Sequence, residues 1–225
     1  MAIDKKSLQT VKKLWHGDLM SVLDPSKLQD LCRQFEGDSP DGESNSDFFY
    51  QEIVDEIVNF GKEGIVYLKQ ELITQQNHPS RLRAILFGLG LLSPKTLKDR
   101  NDLNKILLNY LNSPFPHVVS EAIDSLASLH LVQSTDRVLS LNQHDSPYVR
   151  GSILRFMAKL HPDKAIPLLL ESLESKDAIV RENAIDELDE LNIREAIPYL
   201  SKLVNDSDIN VKQAAQTALE SLLDS

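Results

Sequence analysis

Residues 177–204 read DAIVRENAIDELDELNIREAIPYLSKLV, and residues 146–173, read SPYVRGSILRFMAKLHPDKAIPLLLESL, carry the same apolar arrangement 31 positions earlier. The repeat extends in both directions. Val118, Val149, Val180 and Val211 share one column, and Ala122, Ile153, Ala184 and Ala215 share the column four residues on. Leu126, Met157, Leu188 and Leu219 follow, and then Leu129, Leu160, Leu191 and Leu222. Offsets of 4, 8 and 11 from the valine keep these side chains on one face of a helix with 3.6 residues per turn, so each unit opens with an amphipathic helix.

A second helix follows in each unit, signalled by Ala165-Ile166-Pro167 and Ala196-Ile197-Pro198, again 31 apart. Leu169, Leu170 and Leu173 give one apolar face, and Leu200, Leu203 and Val204 give its counterpart. Proline suits the first turn of a helix, where its missing N–H has no intrahelical partner. By that reasoning Ser113-Pro114 and Ser146-Pro147 are expected to be N-cap and N1 pairs, while Asp177 and Ser207 or Asp208 cap the other units.

Upstream the period loosens. Leu82, Leu86 and Leu89 to Leu92 make one helix, and Leu103, Ile106, Leu107, Tyr110 and Leu111 make its partner. Before them Phe49, Ile53, Val54, Ile57 and Phe60 form a helix stopped by Gly61, followed by Ile65, Leu68 and Leu72. The expected organisation is an N-terminal helical cap over 1–36, a flexible loop over 37–46, and a repeat array over 47–225, with clear 31-residue units from about 113. The cap holds Leu8-Val11-Leu14-Trp15 and Leu28-Leu31-Cys32-Phe35. The loop, Gly37 to Ser46, contains no apolar residue. The fold class is all-α, an α-solenoid wound as a right-handed superhelix.

The units resemble the HEAT-like repeat of the phycobilisome-lyase type. The resemblance rests on Val180-Arg181-Glu182-Asn183-Ala184-Ile185 and Ala196-Ile197-Pro198-Tyr199-Leu200, with an Asp or Ser before each valine. The basic residue after the valine is Arg150, Arg181 and Lys212 but Val119 in the earliest clear unit, and the Gly-x-Ile-Gly ending is replaced by Glu190-Leu191-Asn192-Ile193 and Lys159-Leu160-His161-Pro162. The resemblance implies either an adaptor or assembly factor, or a subunit of a phycobilin lyase or another factor that handles bilins or turns over phycobilisomes. Only in the second case is a bilin implied as ligand.

Composition narrows the functional classes. A net charge of −10 opposes a nucleic-acid binder, which needs a basic surface to displace counterions from phosphates. Lys5, Lys6, Lys12 and Lys13 precede no long apolar run, so no signal peptide or membrane span is expected, and the expected location is cytoplasmic. The sole cysteine, Cys32, forms no internal disulfide, as befits a reducing compartment.

No glycine-rich phosphate loop, paired cysteines or His-Glu-x-x-His string occurs, so no catalytic residues and no cofactor are assigned. His130 and His161 share a column, but neighbouring units put such atoms about 8–10 Å apart, beyond what one metal ion bridges at ~2 Å. Cys32 and Trp15 read as packing residues of the cap. The carboxylates from Glu36 to Glu56 and from Asp186 to Glu190 read as solvated faces. The basic stretch Arg81, Arg83, Lys95, Lys98, Arg100 and Lys105 is broken by Asp99 and Asp102, which opposes a continuous phosphate track.

The expected activity is therefore binding of another protein by a curved surface, with the second helices lining its inner side. With Ile166, Leu169, Leu170 and Leu173 in the core, the free columns of those helices carry Arg137, Leu168, Tyr199 and Lys202. These four are the candidate protein-binding residues, because an apolar and an aromatic side chain presented together make an interface anchor.

Overall fold

The computed structural model describes residues 24–40, 46–75, 77–94 and 96–224. Over these the chain forms twelve α-helices and no strand: α1 (Pro25–Glu36), α2 (Ser46–Val58), α3 (Lys62–Thr74), α4 (Pro79–Gly90), α5 (Leu97–Tyr110), α6 (Pro116–Ser128), α7 (Thr135–Leu139), α8 (Pro147–Leu160), α9 (Pro162–Ser172), α10 (Ala178–Glu190), α11 (Ile197–Leu203) and α12 (Ile209–Asp224). Short 3₁₀ turns, Val132–Ser134 and Arg194–Ala196, lead into α7 and α11. The architecture is an α-solenoid. The segment Leu8-Val11-Leu14-Trp15 lies outside the described residues.

The valine columns hold as read. Val118, Val149 and Val211 are fully buried and Val180 nearly so, and Ala122, Ala184 and Ala215 beneath them are also fully buried. Helices α2, α4, α6, α8, α10 and α12 stand side by side in one layer, each packed along its neighbour. Small residues let them approach. A Cβ on Gly88 would sit 2.3 Å from Val54 Cγ1, one on Gly90 2.7 Å from Ser125 Oγ, and one on Gly151 2.9 Å from Asn183 Nδ2. Ser125 turns the same closeness into a bond, its hydroxyl donating to the Leu86 carbonyl at 2.8 Å.

Helices α3, α5, α7, α9 and α11 form the second layer, pack chiefly on the first, and meet one another more sparsely, as where the Tyr110 hydroxyl of α5 donates to the Leu72 carbonyl of α3 at 3.1 Å. A stack that is tighter on one side bends toward that side, so the valine-headed helices make the inner wall. This differs from the expectation that the second helices would line the inner surface. The alanines, glycines and serines of the first helices permit this close approach.

Two arginines fasten successive units. Arg181 donates Nη1 to the carbonyls of Ser175 (2.8 Å) and Lys176 (3.2 Å), while Nε and Nη2 take both carboxylate oxygens of Asp206 at 2.9 and 2.7 Å. Arg150 does the same one unit earlier, to the carbonyls of His144 and Asp145 and to Asp177. The basic column after the valine is thus a staple between repeats, and the unit with Val119 has none.

Three local expectations are corrected. Helix α6 begins at Pro116 with Phe115 as N-cap, so Ser113-Pro114 lies before it, and Ser113 Oγ accepts from the Phe115 N–H at 3.2 Å in the turn. It is Pro116 that stands 31 residues before Pro147. Pro167 lies inside α9, because Pro162 directly after His161 starts that helix earlier than in the neighbouring units. Asp177 sits at the N-cap of α10 but its carboxylate goes to Arg150, whereas Asp208 Oδ1 does accept from the N–H groups of Asn210 (2.9 Å) and Val211 (3.3 Å). The position that follows α6 and α10 is left-handed, with φ of 52° at His130 and 55° at Asn192. There the N–H groups of Leu131 and Ile193 reach back to the carbonyls of Leu126 and Leu188 at 3.0 and 2.9 Å, closing each helix.

The first described helix, α1, is bound to the array by Arg81. This buried side chain donates to Glu36 O (3.1 Å), Gly37 O (2.8 Å) and Gln75 Oε1 (3.0 Å) and lies over the Tyr50 ring, 5.1 Å from its centroid. Phe35 of α1 packs edge-on against Tyr50 and Tyr67. Tyr67 also donates to the Cys32 carbonyl at 3.2 Å, and the Cys32 thiol is half-buried, which raises its pKa.

Candidate functional site

Side chains one unit apart on the inner wall meet and form a polar row. Arg83 of α4 donates Nη1 to Asp47 of α2 (2.7 Å) and Nε to Glu121 of α6 (3.3 Å). Arg155 of α8 holds Asp124 of α6 with two bonds, Nε to Oδ1 at 3.2 Å and Nη2 to Oδ2 at 2.8 Å, and reaches Asn183 of α10 with Nη1. Ser152 Oγ donates to Asp124 at 3.0 Å. Five neighbouring helices are thereby linked by one charged row.

Within the row, between α6 and α8, lies a cleft of about 110 Å³ lined by Arg83, Ser120, Glu121, Asp124, Arg155, Ile179 and Asn183, together with His117 and Tyr148. The last two share a column of the repeat, since 117 and 148 differ by 31. Their rings lie 4.8 Å apart, and Tyr148 is 48 % exposed. Burial, and then the neighbouring Asp124, push the Glu121 carboxyl up to about 7 against the pull of Arg83 and Arg155. Glu187 on α10 is raised to about 7 as well, by burial first and then by Glu190, with Arg155 opposing. Asp186 is also raised, through burial and Asp189.

The residues singled out from sequence stand on the second layer: Arg137 on α7, Leu168 on α9, Tyr199 and Lys202 on α11. Of the four the structure brings together Tyr199 and Lys202, whose ammonium lies 5.7 Å from the ring centroid. Tyr199 is 38 % exposed, Leu168 is half-buried against the core, and exposed Arg137 donates to Asn112 Oδ1 and to Ser140 Oγ at 3.2 Å. The inner row escaped the sequence reading because it was sought on the other helix of each unit. The signal was present as polar columns three and six residues after the valine, Glu121, Ser152 and Asn183 beside Asp124, Arg155 and Asp186.

Other candidate groups resolve into structural roles. The Asp186–Glu190 cluster, expected as a solvated face, is divided: Asp186 and Glu190 are exposed, while Glu187 is buried. Among the basic residues near α4 and α5, Arg81 is buried, Arg83 is paired, and Arg100 donates to the His130 carbonyl at 3.0 Å. His161 contacts Thr135 Oγ1 at 2.7 Å. Among the described residues no three His, Cys, Asp or Glu side chains are placed to hold a metal ion, and no helix is long and apolar enough to cross a membrane.

An α-solenoid of short helix pairs with a valine-headed inner helix defines a class of repeat proteins, and the comparisons agree with it. A profile of HEAT repeats matches residues 135–220. The matched segment carries HEAT repeats, and the chain has a HEAT-like repeat fold. Among solved structures, YibA of Escherichia coli superposes with a TM-score of 0.63 at 18 % identity, covering 100 % of this chain and 79 % of that one. The complex of CpcE and CpcF of phycocyanin lyase from Nostoc sp. PCC7120 gives 0.50 at 15 % identity, covering 89 % and 84 %. An engineered protein gives 0.50 at 16 % identity, covering 88 % and 97 %. These likenesses are of fold. No curated protein matches the sequence.

Proposed function

We propose that this chain is a non-enzymatic interaction module, an adaptor or assembly factor that holds a segment of another protein along its inner wall. The observation that carries the reading is the polar row from Asp47 to Asn183, continuous across five helices and interrupted by an open cleft whose carboxylate charge is only partly balanced. An extended wall with one repeating set of side chains per unit suits an extended peptide, which presents side chains at regular intervals. Selection of a random dodecapeptide display library against the full-length protein tests this. Selected peptides protect amides of α4, α6, α8 and α10 from hydrogen exchange; selection that returns no peptide protecting these helices would overturn the reading.

The outer row of Arg137, Leu168, Tyr199 and Lys202 is a second proposed contact, supported by the Tyr199–Lys202 pair. Tyr199→Ser with Lys202→Ser spares Leu168, which packs on the core. Undiminished capture of an identified partner by this variant, at unchanged melting temperature, would remove the outer row. The bilin-handling alternative has the shared fold behind it and predicts a shifted visible absorption band and a covalent product when the protein is mixed with a linear tetrapyrrole and an acceptor apoprotein.

A further inference from the structure

The charged row that passes through the cleft between α6 and α8 carries more carboxylate than its own cations satisfy, although the cleft itself is lined by two carboxylates, Glu121 and Asp124, and two arginines. Asp47, Glu121 and Asp124 face Arg83 and Arg155. Arg155 is spent on both oxygens of Asp124 and on Asn183, and Arg83 binds Asp47 closely and Glu121 only at 3.3 Å through Oε2. Glu121 Oε1 accepts no hydrogen bond from the described residues. Beside it Ser120, only 9 % exposed, lines the cleft with a hydroxyl that also has no partner. A buried polar atom left unpaired is rare in a folded protein and marks a place where a donor is missing. The half-exposed ring of Tyr148, 4.8 Å from that of His117, lines the same cleft.

We infer that this cleft receives an arginine side chain projected by an extended segment of a protein partner. The inference rests on reading the inner wall as the partner-binding surface, and it names the chemistry that surface selects. A guanidinium supplies the missing positive charge, donates in a fixed fork to Glu121 Oε1 and Ser120 Oγ, and lays its plane on the Tyr148 ring. Lysine brings the charge without the plane. An anion would meet the carboxylates of Glu121 and Asp124, with both arginines already engaged. The space is larger than a single water needs, about 110 Å³ against roughly 10–15 Å³ for one water on the same measure, which leaves room for a side-chain head. Charge also favours a basic segment beyond the cleft, since Glu182, Asp186, Glu187 and Glu190 continue the acidic sign along α10.

Two linked measurements test the proposal on the full-length protein. In the first, peptides recovered from the display selection that protect the inner helices carry an arginine whose replacement by citrulline, neutral but of the same shape, weakens binding roughly tenfold or more, as expected for loss of a charge-assisted hydrogen bond. In the second, an acetylated hexapeptide alternating arginine and serine is titrated while amide NMR shifts are followed. Shifts concentrate on residues 117–124 and 148–155, fall away with Glu121→Gln, and persist with Glu171→Gln on the outer helix α9; circular dichroism checks that each variant is folded. Equal binding of the citrulline peptide, or undiminished shifts in folded Glu121→Gln, overturns the arginine seat. Wall-binding peptides without a basic residue overturn it too while leaving the interaction reading intact, whereas no peptide on the inner helices ends both.

Discussion

Arg155 holds both carboxylate oxygens of Asp124 across the gap between α8 and α6, at 3.2 and 2.8 Å, and its third nitrogen goes on to Asn183 of α10. One side chain therefore sets the spacing of three consecutive repeats on the inner wall. Arg155→Met keeps the aliphatic stem and removes the fork. Because both partners are about one-third exposed, water takes over part of the lost interaction. The expected loss is about 1–2 kcal/mol in urea unfolding, between the values for exposed and buried pairs.

The Arg181–Asp206 staple is more deeply enclosed, with side chains 12 % and 8 % exposed, and its hydrogen bonds hold the Asp206 carboxyl below the usual carboxylate range. Arg181→Ala leaves Asp206 without its fork and the carbonyls of Ser175 and Lys176 without their donor. It is expected to cost roughly 2–4 kcal/mol. Arg181→Lys recovers less than half of this, since an ammonium cannot serve two carbonyls and two carboxylate oxygens at once. Chemical denaturation of the two variants side by side measures the difference.

The raised carboxyls give stability a defined pH dependence. Glu121 and Glu187 titrate near about 7 in the folded chain against 4.5 ordinarily, so between these limits the native state binds more protons than the unfolded one. Stability from these groups is fully present below the lower limit, falls as pH rises through the window, and is level above it. Glu121→Gln flattens that fall and raises stability at pH 8 by on the order of 1–3 kcal/mol. Thermal melts at pH 5 and pH 8 check the sign: a variant that gained at pH 5 and lost at pH 8 would refute it.

His130 occupies a left-handed position, φ 52°, at the end of α6. His130→Gly removes the clash of its Cβ, and the backbone carbonyl that receives Arg100 remains. A gain of about 0.5–1 kcal/mol is expected, the relief of side-chain strain exceeding the added freedom of the unfolded chain. The melting temperature rises accordingly.

The fold was legible because burial follows the columns: a residue that must be apolar at Val149 must be apolar at Val180 and Val211, and 3.6-residue periodicity identifies the helix. The helix starts at 116 and 162 were less legible, because proline is tolerated at more than one place near a helix N-terminus and the columns do not say which. The inner row was not legible as a site. Glu121, Asp124 and Arg155 read individually as solvated charges, and their joint character comes from helices brought within hydrogen-bond reach by Gly88, Gly90 and Gly151. Which layer faces inward depends on that approach, a distance that no single unit encodes.

Because the valine-headed layer carries the extensive helix-to-helix packing and the second layer is joined by single bonds such as Tyr110 to Leu72, the molecule is built like a watch strap with one thick leather side. Bending would strain the sparse bonds between α3, α5, α7, α9 and α11 before the dense contacts along the other face. A bound strand would thus ride on a surface whose pitch stays constant while the body behind it flexes.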